Sequence, residues 1–292
     1  MIETMRDHYT VTELCNAFEV SRSGYYKGIR TGPGKRKKQN QQIIDAMKQI
    51  HQEPFKNAYG SPRMTVELRR RGFICSENRV ARLMTEAGLI ALHKAPFRPK
   101  TTVQDPDRIP APNRLAEIEA PSQPGEVFVS DITYVATREG WLYLAATMDL
   151  YSRRIAGWHL AESMKTDLVI EAAQKAVDGT GICPGAIFHS DRGCQYTSQR
   201  MRSWLNQRGM LSSMSAAGYC YDNASCESLF ATLKREAFPA GCVFQTKQEA
   251  RRTIFQYIDT FYNRERIHTS LGDQSPDNFL TNHFQPNPIT LN

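Results

Sequence analysis

The run from Val127 to Val135 constrains this chain more than any other stretch. Its nine residues are mostly β-branched or aromatic, and a carboxylate, Asp131, stands in their middle. Such a run predicts a β-strand, where alternate residues share a face, so Asp131 lies with Val129 and Thr133. A carboxylate inside an apolar strand is costly unless a partner or a metal receives it. One short segment therefore predicts both a sheet and a site on it.

The elements that follow set the fold class. Trp141 to Tyr151 reads as a second strand after a turn at Gly140, and Ile155 to Leu160 as a third, giving an antiparallel meander. Lys165 to Val177 is a helix with Leu168, Val169, Ala172, Ala173 and Ala176 on its inner face. A short strand over 185–191, a helix over 198–208, a strand over 211–215 and helices over 223–238 and 247–262 complete the pattern. This is an α/β chain with a mixed five-stranded sheet of ribonuclease H-like order, preceded by an all-α helix-turn-helix region.

In the front part, Thr10 or Thr12 caps a helix through Leu14 and Ala17, and Ser21 caps another through Tyr25 and Tyr26. Arg22 and Lys27 fall on the outer face of that second helix, where a recognition helix meets DNA. Gly32, Pro33 and Gly34, then Lys35, Arg36, Lys37 and Lys38, read as a linker before a helix over 39–51. A second helix pair opens at Ser61-Pro62, breaks at Gly72 and resumes after Ser76, and Arg69, Arg70, Arg71, Arg79 and Arg82 decorate it. The expected organisation is a helix-turn-helix over 1–30, a basic linker and helix over 31–56, and a second helix-turn-helix-like domain over 57–94. A proline-rich linker over 95–125 leads to the catalytic core over 126–240 and a C-terminal helix and tail over 241–292.

Charge follows this division. Residues 1–100 hold 19 Lys+Arg against 9 Asp+Glu, whereas residues 101–292 hold 18 against 21. A basic front is the electrostatic footprint of a polyanion, because cations placed near phosphates release condensed counterions. The longest apolar run contains Asp149 and is too short to span a bilayer, and residues 1–30 carry no secretion pattern, which points to the cytoplasm. Seven cysteines without a C-x-x-C pair exclude a disulfide framework and a zinc ribbon.

Three acids stand at telling places. Asp131 is inside the first strand, Asp191 is just past the fourth, and Glu227 is one turn into a helix. Two divalent cations about 4 Å apart activate an attacking oxygen and stabilise a leaving one in phosphoryl displacement. Mg²⁺ takes few carboxylates alongside waters and substrate phosphates, so three acids suffice. Bland roles stay open: an Asx-turn at Asp191, a solvated helix face at Glu227, and a hydroxyl or arginine partner for Asp149. His189 and His268 read as structural, and Arg192 and Tyr196 as possible DNA contacts.

The motifs around these acids carry a resemblance. Ser130 to Tyr134, Asp149 to Trp158, His189 to Tyr196, Tyr221 to Ser228, and the tail residues Tyr262, Asn263, Arg264, His268, Leu271, Gly272, Ser275 and Pro276 resemble the integrase-core motifs of insertion-sequence transposases. The segment Tyr59 to Arg63 is similar to the front half of the same group. The chain is identified as a member of insertion-sequence family three, second-frame (OrfB) type, with a retroviral-integrase-like core.

The resemblance implies a D, D, x35, E triad of Asp131, Asp191 and Glu227 as catalytic and metal-holding residues. It also implies a basic residue seven positions beyond the glutamate, here Lys234, meeting a terminal phosphate of the element. The implied cofactor is Mg²⁺, two ions per site, with Mn²⁺ able to substitute. The implied activity is binding of inverted-repeat ends, strand cleavage and strand transfer by a copy-out route through a circle. Implied partners are double-stranded DNA, further copies of the chain on paired ends, and the first-frame or fused product, with no membrane and a nucleoid-associated cytoplasmic location. Two alternatives share these motifs: a metal-dependent nuclease that never joins strands, and an inactive end-binding regulator.

Overall fold

The computed structural model describes residues 2–31, 34–92, 111–215 and 224–284. It divides into two compact units, Met1–Ile90 and Ala91–Asn292. The proline run from Pro96 to Pro110, the residues Tyr221 to Asn223 and the tail beyond 284 lie outside the described residues.

The front unit is helical. Helix α1 (Val11–Ala17) begins in a capping box: Thr10 Oγ1 accepts from Glu13 N, and Glu13 reaches back to Thr10 N. Glu19 turns the chain with φ 54°, and Ser21 Oγ accepts from Gly24 N to open α2 (Arg22–Thr31). Helix α3 (Lys35–Gln52) starts four residues before the expected 39, so the basic run is its first turn rather than a linker. Lys and Arg are good helix formers, and the sequence break ends with Gly34. Helix α4 (Ser61–Arg70) follows Gly60, and α5 (Glu77–Glu86) is capped by Ser76. Ile43, Met47, Ile50, Met64, Leu68, Val80 and Leu83 form the shared core of α3, α4 and α5.

Beneath that core lies a buried ion network. Lys56, with its side chain 8% exposed, reaches Glu53 at 2.9 Å and Glu67 at 3.3 Å. Arg71 closes the ring onto both carboxylates at 2.6 and 2.9 Å.

The second unit is built on a sheet in the order β3-β2-β1-β4-β5. Strands β1 (Val127–Thr137), β2 (Gly140–Asp149) and β3 (Ile155–Ala161) form the expected antiparallel meander. β4 (Ile187–Ser190) then runs parallel to β1, and β5 (Leu211–Met214) parallel to β4. A two-residue strand, β6 (Val243–Phe244), adds a sixth member by pairing with the far end of β1. Two residues carry no period, which is why the sequence leaves it unseen.

Helices α6 (Thr166–Thr180) and α7 (Gln199–Gln207) cover the sheet face that carries Phe128 and Ala145. Gly157 lets α6 approach: a Cβ there would fall 2.1 Å from the Ala172 carbonyl oxygen and 2.4 Å from Ala176 N. Helix α8 (Ala224–Ala237) packs on β1, and α9 (Lys247–Phe255) continues as a π-helical segment, Gln256–Tyr262. Helix α10 (Pro276–Phe284) closes the described chain.

The tail is bound to the sheet by its polar side chains. Asn263 accepts from Ile155 N and donates to Ile155 O, so one side-chain amide pairs like a strand. Arg154 meets Asp277 at 2.9 Å, and Trp158 Nε1 donates to Asp259. Arg266, buried, forks onto Glu236 of α8 at 2.8 and 2.9 Å, and Tyr257 donates to the same carboxylate.

Candidate active site

The parallel register of β1 and β4 builds the site. Ser130 pairs with Ser190, so Asp131 and Asp191 are the next residues on two neighbouring strands. Asp131 lies on the face opposite Phe128, toward α8, and its Oδ1 accepts from Ile132 N at 2.7 Å. Asp191 begins the loop after β4, and its Oδ1 accepts from Gly193 N at 2.9 Å. The Asx-turn left open by the sequence is therefore present, and it sits beside Asp131. Glu227 is in the first turn of α8 and exposed.

The three acids affect one another electrostatically. Burial pushes the Asp131 carboxyl up to about 8, the Asp191 charge adds to this, and Glu227 adds more. The buried Cys226 thiol, next to Glu227, is raised by its burial and then by the charges of Asp131, Asp191 and Glu227. Lys234 is half-buried on the same helix. Burial lowers its ammonium, while Cys242 and Asp131 oppose that shift. Glu227 and Lys234 thus both lie within electrostatic reach of the acid in β1.

The donor set, carboxylate oxygens, suits a hard cation such as Mg²⁺, which takes few protein ligands. Among the described residues, no three His, Cys, Asp or Glu side chains are drawn together tightly enough to hold a metal ion. The three acids are within electrostatic reach of one another without forming a closed ligand shell.

A buried hydroxyl chain lies on the other face of β1. Thr147 Oγ1 donates to Ser130 Oγ at 3.1 Å, and Ser130 Oγ lies 3.0 Å from Tyr196 OH. Tyr196, expected as a DNA contact, is instead 2% exposed within the core. His189, fully buried, is held between Ser213 Oγ and Ser215 Oγ at 2.8 and 3.1 Å. His268 lies against the Tyr262 ring, with Arg266 Nη1 3.3 Å away. Asp149, also fully buried, accepts from Gly125 N, Ser152 N and Ser152 Oγ.

The expected DNA contacts divide. Arg22 and Lys27 are exposed on α2. Arg70 and Arg82 are exposed, each beside a carboxylate of its own helix, Glu67 at 4.0 Å and Glu86 at 3.4 Å. Arg69, also exposed, donates twice to the Cys75 carbonyl, and the half-buried Arg79 donates twice to Asn40 Oδ1. Arg192 Nε donates to Ser215 O at 2.8 Å, beside the acids.

Sequence reasoning passed over Arg153. It sits between β2 and β3 with φ 59°, and its Nη1 donates to Ser225 Oγ at 2.7 Å. The motif from Asp149 to Trp158 was the available signal, although nothing in its spacing says which element it meets.

Known proteins resemble this chain over most of its length. Two family profiles described as "Integrase core domain" match residues 121–220 and 208–276, and one described as "HTH-like domain" matches 38–97. The insertion element IS600 uncharacterized 31 kDa protein of Shigella sonnei is 39% identical over 272 residues, covering 93% of this chain and 99% of that protein. The transposase for insertion sequence element IS904 of Lactococcus lactis subsp. lactis (strain IL1403) is 37% identical over 85% of this chain and 96% of its own length. Transposase InsF for insertion sequence IS3A of Escherichia coli (strain K12) is 36% identical over 95% and 96%. Among solved structures, a chain of the simian T-cell lymphotropic virus intasome matches with TM-score 0.45 and 12% identity, covering 84% of this chain and 76% of that one. The HTLV-2 integrase catalytic core in complex with magnesium matches with TM-score 0.39 and 11% identity, over 54% and 97%.

Proposed function

This chain belongs to the insertion-sequence family-three transposases of the second-frame type, and on that premise we propose that it cleaves and joins DNA strands at the ends of its element. The observation that carries this is the placement of Asp131 in β1 beside Asp191 at the end of the parallel β4, with Glu227 and Lys234 on α8, the helix packed on β1. Asp131, Asp191 and Glu227 would hold two Mg²⁺ ions, with Mn²⁺ able to substitute. Bound there, the pair supplies activation of the attacking oxygen and stabilisation of the leaving oxygen.

The chain's own residues bind and orient. Water attacks a phosphodiester at an element end, forming one P–O bond as another breaks, and leaves a free 3′-hydroxyl. That hydroxyl attacks a second phosphodiester at the same acids, so no covalent protein intermediate forms. Lys234, on the Asp131 side of α8, holds a phosphate of the end. Arg192, the residue after Asp191, is held by Ser215 O and offers a further phosphate contact. Arg22, Lys27, Arg70 and Arg82 offer phosphate contacts that position the ends, while Arg69 and Arg79 contribute by holding α4 and α5 in shape. Paired ends call for more than one protomer, and the first-frame or fused product is a partner in that assembly. The family's copy-out route through a circle fits this two-step chemistry.

A joining assay with labelled ends, Mg²⁺ and a target plasmid tests the proposal. Joined product supports it. Cleavage without joining identifies a nuclease, and end binding alone identifies an inactive regulator; both overturn it. Asp131→Asn, Asp191→Asn and Glu227→Gln are each expected to lower joining at least ~10³-fold while end binding, read by gel shift, persists. Retained joining in any one of them removes that residue from the site.

A further inference from the structure

We propose that Arg153 is a positioning residue: a strut from the sheet that fixes the rotation of α8 and so aims Glu227 at Asp131, an assignment that rests on the catalytic reading above. The strut starts from a rigid base. Asp149 and Ser152 lock the turn between β2 and β3, Asp149 N donates to Arg154 O, and Leu150 N donates to Val127 O of β1. The guanidinium therefore takes its position from the strand that carries Asp131.

Its other end is on α8. Arg153 Nη1 donates to Ser225 Oγ at 2.7 Å, and the Arg153 charge reaches both Cys226 and Tyr262, so the guanidinium lies between the start of α8 and the π-helical segment. Ser225 and Glu227 are two residues apart, about 200° around a helix. A tether at Ser225 on one side holds the Glu227 carboxylate on the other. Without it, the first turn of α8 rests on the apolar contacts of Cys226, Leu229, Phe230 and Leu233, because the Arg266 fork on Glu236 holds only the far end of the helix. These contacts are non-directional and do not define an angle.

Two features indicate that Arg153 is not there for stability. A non-glycine residue at φ 59° is in the left-handed region, which costs free energy. A cation near a helix N-terminus also opposes the helix dipole. Strain of this kind persists where the surroundings impose it for function.

These two features make the test clean, because the diagnostic variants should not unfold the protein. In Arg153→Gly the backbone strain is relieved, and in Ser225→Ala a better helix former replaces serine. In the full-length chain, both are expected to keep or raise the melting temperature and keep end-binding affinity. At saturating DNA, strand cleavage and joining should fall roughly ten- to a hundredfold, the effect of a misplaced catalytic group. The double variant should fall no further than the worse single one, because both remove the same contact.

Wild-type turnover in either single variant, additive losses in the double, or losses that track a lowered melting temperature would overturn the strut. Asp131→Asn in the same assay keeps the two levels apart. Joining by Asp131→Asn sinks the catalytic reading, whereas wild-type joining by Arg153→Gly sinks only the strut.

Discussion

In the front unit most charged pairs are local. Lys56 meets Glu53, Arg71 meets Glu67 and Arg82 meets Glu86, each three or four residues apart. In the sheet unit the corresponding pairs reach across the chain: Arg154 to Asp277, Arg266 to Glu236 and Lys247 to Glu162. Local pairs support a helix and leave its position to apolar packing. Distant pairs specify where one element sits against another. The unit that must hold acids in register has the distant kind, and the unit that carries the cation excess has mainly the local kind.

The largest test of this contrast is Glu236→Ala against Glu67→Ala. Glu236 is fully buried and its loss strands Arg266, so the sheet unit should lose about 3–5 kcal/mol in denaturant unfolding. Glu67→Ala leaves Lys56 and Arg71 still paired with the half-exposed Glu53, and roughly 1–2 kcal/mol is expected. Equal losses would break the comparison.

A second test uses pH. The Asp131 carboxyl is raised from 3.8 to about 8, so in that window the folded protein holds a proton that the unfolded chain has released. Metal-free stability therefore falls as pH rises through the window. Asp131→Asn should match wild type at pH 4 in EDTA and exceed it at pH 9 by at least ~1 kcal/mol, about 2–4 °C in Tm. An unchanged pH profile would show that neither burial nor the neighbouring acids raise this carboxyl.

The smallest effects separate the cations of the front unit. Arg79→Ala, which removes the anchor to Asn40, should cost about 1 kcal/mol. Arg82→Ala should cost under ~0.5 kcal/mol yet lower the salt dependence of end binding by about one ion. If the two variants behave alike, the division between anchored and available arginines is wrong.

The strand order and the meeting of Asp131 with Asp191 were legible because β-branched runs have a period and the acid interrupts one of them. The start of α3 is four residues earlier than the sequence suggests, because a run of Lys and Arg after Gly34 is itself good helix-forming sequence. Tyr196 shows a different failing: composition counts a side chain without saying how deeply it is buried. Arg153, Asn263 and Arg266 act over 72, 108 and 30 residues, and no local pattern encodes a contact at such separation.

The Asn263 amide has a consequence for assembly. β3 is an outer strand of the sheet, and an open strand edge invites pairing with another chain. Here Asn263 takes both backbone groups of Ile155, Lys175 Nζ donates to the Trp158 carbonyl, and Arg251 donates to the Leu160 carbonyl. On the opposite edge, Met214 N of β5 donates to Pro112 O, and Arg114 N donates to Ser213 Oγ. Both flanks of the sheet are thus capped by the chain itself. An assembly of copies that zips sheet to sheet would first have to strip these caps away, so the proposed protomers on paired ends would meet through side chains and helices.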